Sequence, residues 1–124
     1  MIILIYTSYF AKLKKIPKEI IPISIARKAP NGFKGLEYKQ LAPSYELLMH
    51  WKHNHDEEYY VKVFNQDVLE KLNSYGTISR LKQYANSDDI VLVCYEKSSD
   101  FCHRHLVATW LNTNGYEVKE WSEK

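Results

Sequence analysis

The sequence predicts an α/β fold: one three-layer domain with a mostly parallel central sheet of about four strands and helices on both faces. Three observations carry this expectation. Met1 to Tyr6, Ile20 to Ala26 and Ile90 to Cys94 are short apolar runs rich in β-branched residues, without the alternation of a half-exposed strand. Stretches of helical period lie between and after them. Strands separated by helices favour parallel crossovers over hairpins.

A chain of 124 residues with 45% hydrophobic side chains builds one core, so residues 1–124 are read as a single domain. Its net charge of +2, from 17 basic and 15 acidic residues, lacks the concentrated field of a dedicated nucleic-acid binder. Nucleic acid as a ligand is allowed by that balance, not implied. Two cysteines make no disulfide scaffold, and no segment reads as a signal peptide. Reduced thiols and a cytoplasmic location are therefore expected. The apolar MIILIY is far short of the roughly 20 residues that span a bilayer, so no membrane partner is expected.

Met1 to Tyr6 reads as a buried central strand, and Thr7 and Ser8 at its carboxyl end stand where open α/β sheets place ligands. Solvated loop residues are the plainer account of them. Phe10 to Lys18 is short, basic and limited by Pro17, which predicts a helical turn or loop. Ile20 to Ala26 is the second strand, with Pro22 near its start. Arg27, leaving that strand, is placed to fork onto a carboxylate or phosphate.

Phe33 to Ala42 has two glycines and little periodicity, and reads as a loop over the sheet edge. Pro43 and Ser44 open a helix with Tyr45, Leu47, Leu48, Met49 and Trp51 on its buried side, ending near Asn54. His50, His53 and His55 crowd its last turn, where interaction with the helix C-terminus outweighs metal binding. Asp56 to Leu72 starts with acids and carries Tyr60, Phe64, Val68 and Leu72 as one stripe. Thr77 is read as the cap of a further helix, with Ile78, Leu81 and Tyr84 on one face. After the strand Ile90 to Cys94, Asp100 stands at the N-cap or first turn of a helix that buries Leu106, Val107, Trp110 and Leu111 and stops at Asn114 and Gly115. Tyr116 to Trp121 is a last strand at an edge.

The chemistry concentrates between Ile90 and Leu111. Cys94 and Glu96 share one side of a strand, because side chains alternate with period two. Cys102, His103 and Arg104 occupy a first helical turn, where the dipole and a cationic neighbour stabilise a thiolate. Cys102 is thus a candidate nucleophile. Arg104 and the free backbone N–H groups can hold an anion while Glu96 serves as general base or takes a sugar hydroxyl. The bland alternatives are Cys94 as a small core residue and Glu96 with Arg104 as a structural ion pair. Cys94, Cys102 and His103 also offer three metal ligands with an open fourth position. No phosphate-cradling Gly-rich loop is present, no cofactor is expected, and Cys94 to Arg104 is too long for a tyrosine-phosphatase loop.

These residues resemble domain-of-unknown-function family 488, whose hallmark is an apolar strand ending in cysteine and glutamate followed by Cys-His-Arg on a helix. LVCYEKSSDFCHRHLVATWL carries every part of it. Tyr6 to Ser8, Ile23 to Arg27 before Pro30, and Tyr60 with Phe64 resemble the family's other blocks, so the likeness covers nearly the whole chain. The family commonly has an aspartate at the second strand, where this chain reads Ser24, Ile25, Ala26, Arg27. The resemblance implies a soluble α/β domain of bacteria, archaea or their viruses, with a polar site of Arg27, Cys94, Glu96, Cys102, His103 and Arg104. It supplies no reaction.

Three functions stay open. The leading one is a small enzyme with an anionic or nucleotide-like substrate, bound by Thr7, Ser8, Arg27 and Arg104 and acted on by Cys94, Glu96, Cys102 and His103. A non-catalytic binding or sequestering module in the same pocket is the second, and a Cys/His metal site is the third.

Overall fold

The computed structural model describes residues 4–97 and 100–122. Met1 to Ile3 of the expected first strand, and Ser98 and Ser99 of the turn before the Cys-His-Arg helix, lie outside the described residues. Five strands form one parallel sheet: β1 (Leu4–Tyr9), β2 (Ile21–Ser24), β3 (Leu36–Glu37), β4 (Ile90–Cys94) and β5 (Glu117–Glu120), in the order β3-β2-β4-β1-β5. The helices are α1 (Tyr45–Asn54), α2 (Glu57–Asp67), α3 (Ser74–Ala85) and α4 (His103–Thr113), with shorter 3-10 helices at Phe10–Lys15, Lys39–Leu41 and Leu69–Lys71. This is the three-layer α/β architecture that the strand and helix order predicts.

The two faces are covered unequally. Buried side chains of all four α-helices, among them Leu47, Phe64, Leu81 and Leu111, join Ile5, Ile23, Ile90 and Leu92 in one core. On the other face Val91 and Val93 are covered by Phe10 and Leu13 of a 3-10 helix, together with Ile16, Ile20, Phe33 and Trp121. Every residue of β4 is buried, which is why its sequence shows no alternation. Among the described residues, no helix is long and apolar enough to cross a membrane.

Several boundaries depart from expectation for identifiable reasons. The fifth strand, β3, has two residues and pairs only with Ile23 and Ser24, too short to leave a pattern among the glycines. Helix α3 begins before Thr77: the Asn73 side chain caps it by accepting from the Gly76 N–H at 2.8 Å, and Thr77 is buried inside the helix. Tyr45 and Tyr84 are exposed, not core. Cys102, not Asp100, is the N-cap residue of α4. Ser44 caps α1 as read, through the Leu47 N–H at 3.0 Å. Asp56 caps α2 in the same manner, at 3.1 Å to Tyr59.

The connections fix where a ligand can sit. After β2 the chain moves outward to β3, whereas after β4 it crosses to β5 on the far side of β1. The adjacent carboxyl ends of β2 and β4 therefore diverge, and open α/β sheets leave a crevice at such a point.

Candidate functional site

A cavity of about 580 Å³ opens at that divergence. Ala26, Arg27 and Lys28 follow β2 into it, while Cys94, Tyr95 and Glu96 end β4. Tyr45, Leu48, Trp51 and Lys52 of α1, Tyr60 of α2, and Phe101 to His103 at the start of α4 complete the lining. The aromatic side forms a contiguous wall: Trp51 lies 4.6 Å from Phe101 and 5.8 Å from Tyr60, and Tyr60 meets Phe101 edge-on at 5.1 Å. Burial pushes the Tyr60 phenol above its ordinary value, so it stays protonated. Across the mouth, Tyr95 donates its hydroxyl to the Lys28 carbonyl at 2.6 Å, linking the β2 and β4 loops.

At the floor, Cys94, Cys102 and His103 are all buried. Where the sequence reading expects two thiols, Cys94 and Cys102 are joined as a disulfide in this structure. The β4 end and the α4 N-cap, eight positions apart in the chain, converge on one point, which the sequence between them does not reveal. His103 Nε2 donates to the Ile25 carbonyl at 2.6 Å, since a carbonyl can only accept. That bond fixes the tautomer and leaves Nδ1 as the free lone pair, 3.9 Å from Cys102 Sγ. Burial pulls the imidazole down to about 4, against the Ile25 hydrogen bond, with the Arg104 and His105 charges adding to the fall. The ring is neutral at physiological pH.

Arg104 lies behind this floor and outside the cavity lining, with its side chain fully buried. Its Nε and Nη2 fork onto the Glu120 carboxylate at 3.1 and 2.7 Å, and Nη1 donates to Cys94 Sγ at 3.1 Å and to the Glu96 carbonyl at 2.6 Å. The assignment of Arg104 to substrate is corrected accordingly. Its donors face protein groups, and the carboxylate it pairs with is Glu120 of β5, not Glu96. Thr7 belongs to the same network, donating to Glu120 Oε1 at 2.7 Å. Neither Thr7 nor Ser8 lines the cavity, because both are buried within β1, one strand beyond β4. The Ser8 hydroxyl finds no partner among the described residues.

The structure thus brings Arg27, Cys94, Glu96, Cys102 and His103 to one cavity, leaves Thr7 and Ser8 outside it, and sets Arg104 behind the floor, bonded to Cys94 Sγ and the Glu96 carbonyl. Sequence reasoning missed Glu120, which sits in an alternating strand without any mark of function. It also missed the aromatic wall, because Trp51 and Tyr60 fall on helical stripes that read as core. The excess of aromatic residues was the available signal. No cluster forms at His50 and His53: among the described residues, the group placed to share an ion is Cys94, Cys102 and His103. His50 instead stacks on Tyr59 at 4.0 Å.

No curated protein and no solved structure matches the chain. Residues 5–115, which run from the second residue of β1 past the end of α4 and include every residue of the cavity, match the family described as DUF488-N3a, the active DUF488-N3 subclade, and the chain belongs to the DUF488 family.

Proposed function

We propose that the protein is an enzyme acting on an anionic, nucleotide-like substrate, such as a nucleotide, a modified base or nucleic acid, whose reacting end meets Cys94, Cys102 and His103. One observation carries the reading: a single cavity joins an aromatic wall, a cationic mouth and a buried Cys/Cys/His floor. Flat apolar rings suit a base, since stacking accepts any π-face. The Arg27 guanidinium, exposed and 5.8 Å from the Tyr45 ring centre, supplies a fork for phosphate, with Lys28 and Lys52 beside it. Glu96, exposed at the same mouth, is the acceptor for a substrate hydroxyl or its proton. His103 Nδ1, unprotonated and turned toward Cys102, completes the floor. The reading places the protein in a reducing cytoplasm, of bacterial, archaeal or viral origin, where the cysteine pair is held as thiols.

The test is a panel of mononucleotides, modified nucleosides and short oligonucleotides, scored by thermal shift on the reduced protein and by mass spectrometry of the recovered ligand. Saturable stabilisation with conversion of one class is the expected result, and Arg27→Ala should weaken that binding about ten-fold, the scale of one charge-assisted contact. Stoichiometric recovery of unchanged ligand would make the protein a non-catalytic binding module. Absence of stabilisation by every member would remove the nucleotide reading.

A further inference from the structure

We propose that Cys94, Cys102 and His103, with the cysteine pair reduced, form a zinc site of three protein ligands whose fourth position opens into the cavity. The proposal stands on the floor geometry, and it rests on the enzyme reading only for the use made of the ion. One ligand atom from each residue lies within 4.8 Å of the other two. Tetrahedral zinc with Zn–S near 2.3 Å and Zn–N near 2.0 Å holds a sulfur and a nitrogen about 3.5 Å apart and two sulfurs about 3.8 Å apart. The 3.9 Å from Cys102 Sγ to His103 Nδ1 is within about 0.4 Å of the sulfur–nitrogen spacing.

Three further features favour an ion over a packed core. The Ile25 carbonyl holds Nε2–H, which is the outer-shell contact that orients a ligating imidazole and turns its other nitrogen inward. Arg104 donates to Cys94 Sγ at 3.1 Å, an outer-shell contact of the kind that orients a ligating sulfur. The Cα atoms of Cys94 and Cys102 stand 7.6 Å apart, beyond the roughly 4.4–6.8 Å of bridged cysteines, a spacing that leaves room for an ion between separated thiolates. All three residues line the cavity, so the remaining coordination position faces whatever the cavity holds. Two thiolates and one imidazole with an open site form a known catalytic zinc donor set, in which bound water is acidified or a substrate oxygen polarised.

The balance is simple. A dithiol reductant cleaves the disulfide by supplying two electrons and two protons and is itself oxidised to a disulfide. Binding of the dication then displaces the two thiol protons to solvent. The disulfide and the ion therefore exclude one another.

The test uses the full chain, reduced and kept free of oxygen, titrated with Co²⁺ and then Zn²⁺. One equivalent of Co²⁺ should bind with thiolate-to-cobalt charge-transfer absorption, and Zn²⁺ should displace it. Cys102→Ser and His103→Gln should each weaken binding at least ten-fold. The oxidised wild-type protein needs no substitution and should bind no equivalent. Failure to take up one equivalent, or equal uptake by oxidised and reduced protein, overturns the site. Arg27→Ala separates the two readings: it should weaken nucleotide binding and leave cobalt uptake unchanged. Cobalt uptake without any nucleotide binding would sink the substrate reading alone.

Discussion

Arg27 and Arg104 both stand close to the carboxyl ends of the central strands, and both carry the same five donors, yet their surroundings give them opposite work. Arg27 is exposed at the cavity mouth, with the face of Tyr45 5.8 Å away. Arg104 is enclosed, and its donors end on Glu120, Cys94 and the Glu96 carbonyl. A guanidinium in water keeps its charge for an arriving anion, whereas a buried one must be matched by its own chain. Side-chain type alone does not separate a binding group from a structural one. Burial and the presence of an internal carboxylate do.

That contrast can be broken by substitution. Arg104→Ala would remove the guanidinium fork from the Glu120 carboxylate, and loss of one member of a buried ion pair costs about 3–5 kcal/mol. Urea unfolding of the variant should show a loss on that scale; a midpoint unchanged from wild type would mean that Arg104 is not structural. The next effect concerns the floor. In the ion-free protein the folded state holds His103 near 4, against the ordinary histidine value of 6.5, so between those values the unfolded chain binds more protons. Stability is fully present above about 6.5 and declines as pH falls toward 4, by about 3 kcal/mol over the window. Comparing wild type with His103→Gln by unfolding at several pH values isolates the term, and identical slopes would contradict it.

Arg27→Ala supplies the opposite case to Arg104→Ala. Its unfolding free energy should stay within about 0.5 kcal/mol of wild type while nucleotide affinity falls about ten-fold, checked by urea melts and calorimetric titration on the same samples. The smallest change is Thr7→Val, which removes one hydrogen bond to Glu120 and should cost about 1 kcal/mol without altering ligand affinity. A measurable loss of affinity in Thr7→Val would return Thr7 to the binding site.

The fold was largely legible in the sequence because its signals are local. β4 carries five consecutive apolar residues, Ser44 and Asp56 cap their helices as their positions suggest, and the turn residues fall between elements. The strand ends also announced Arg27, Cys94, Glu96, Cys102 and His103 as neighbours, since a parallel sheet brings its carboxyl ends to one side. What stayed hidden depends on sheet order. Nothing local says that β4 inserts between β2 and β1, and that insertion sets Thr7 and Ser8 apart from the cavity. Glu120 was hidden for the same reason: its pairing with Arg104 exists only because β5 lies beside β1, bringing a carboxylate across to α4. The aromatic wall was obscured by a different ambiguity, because a stripe at helical spacing looks the same whether it meets a core or a cavity.

β5 is an edge strand among the described residues, held along one side by β1. Edge elements open more readily than the centre of a sheet, and local opening of this kind is read by amide hydrogen exchange. Opening of β5 would withdraw the carboxylate from Arg104, whose Nη1 is in contact with Cys94. The charge balance around the most deeply placed cysteine therefore depends on a strand at the outermost position of the sheet, two strands away from the one that carries it.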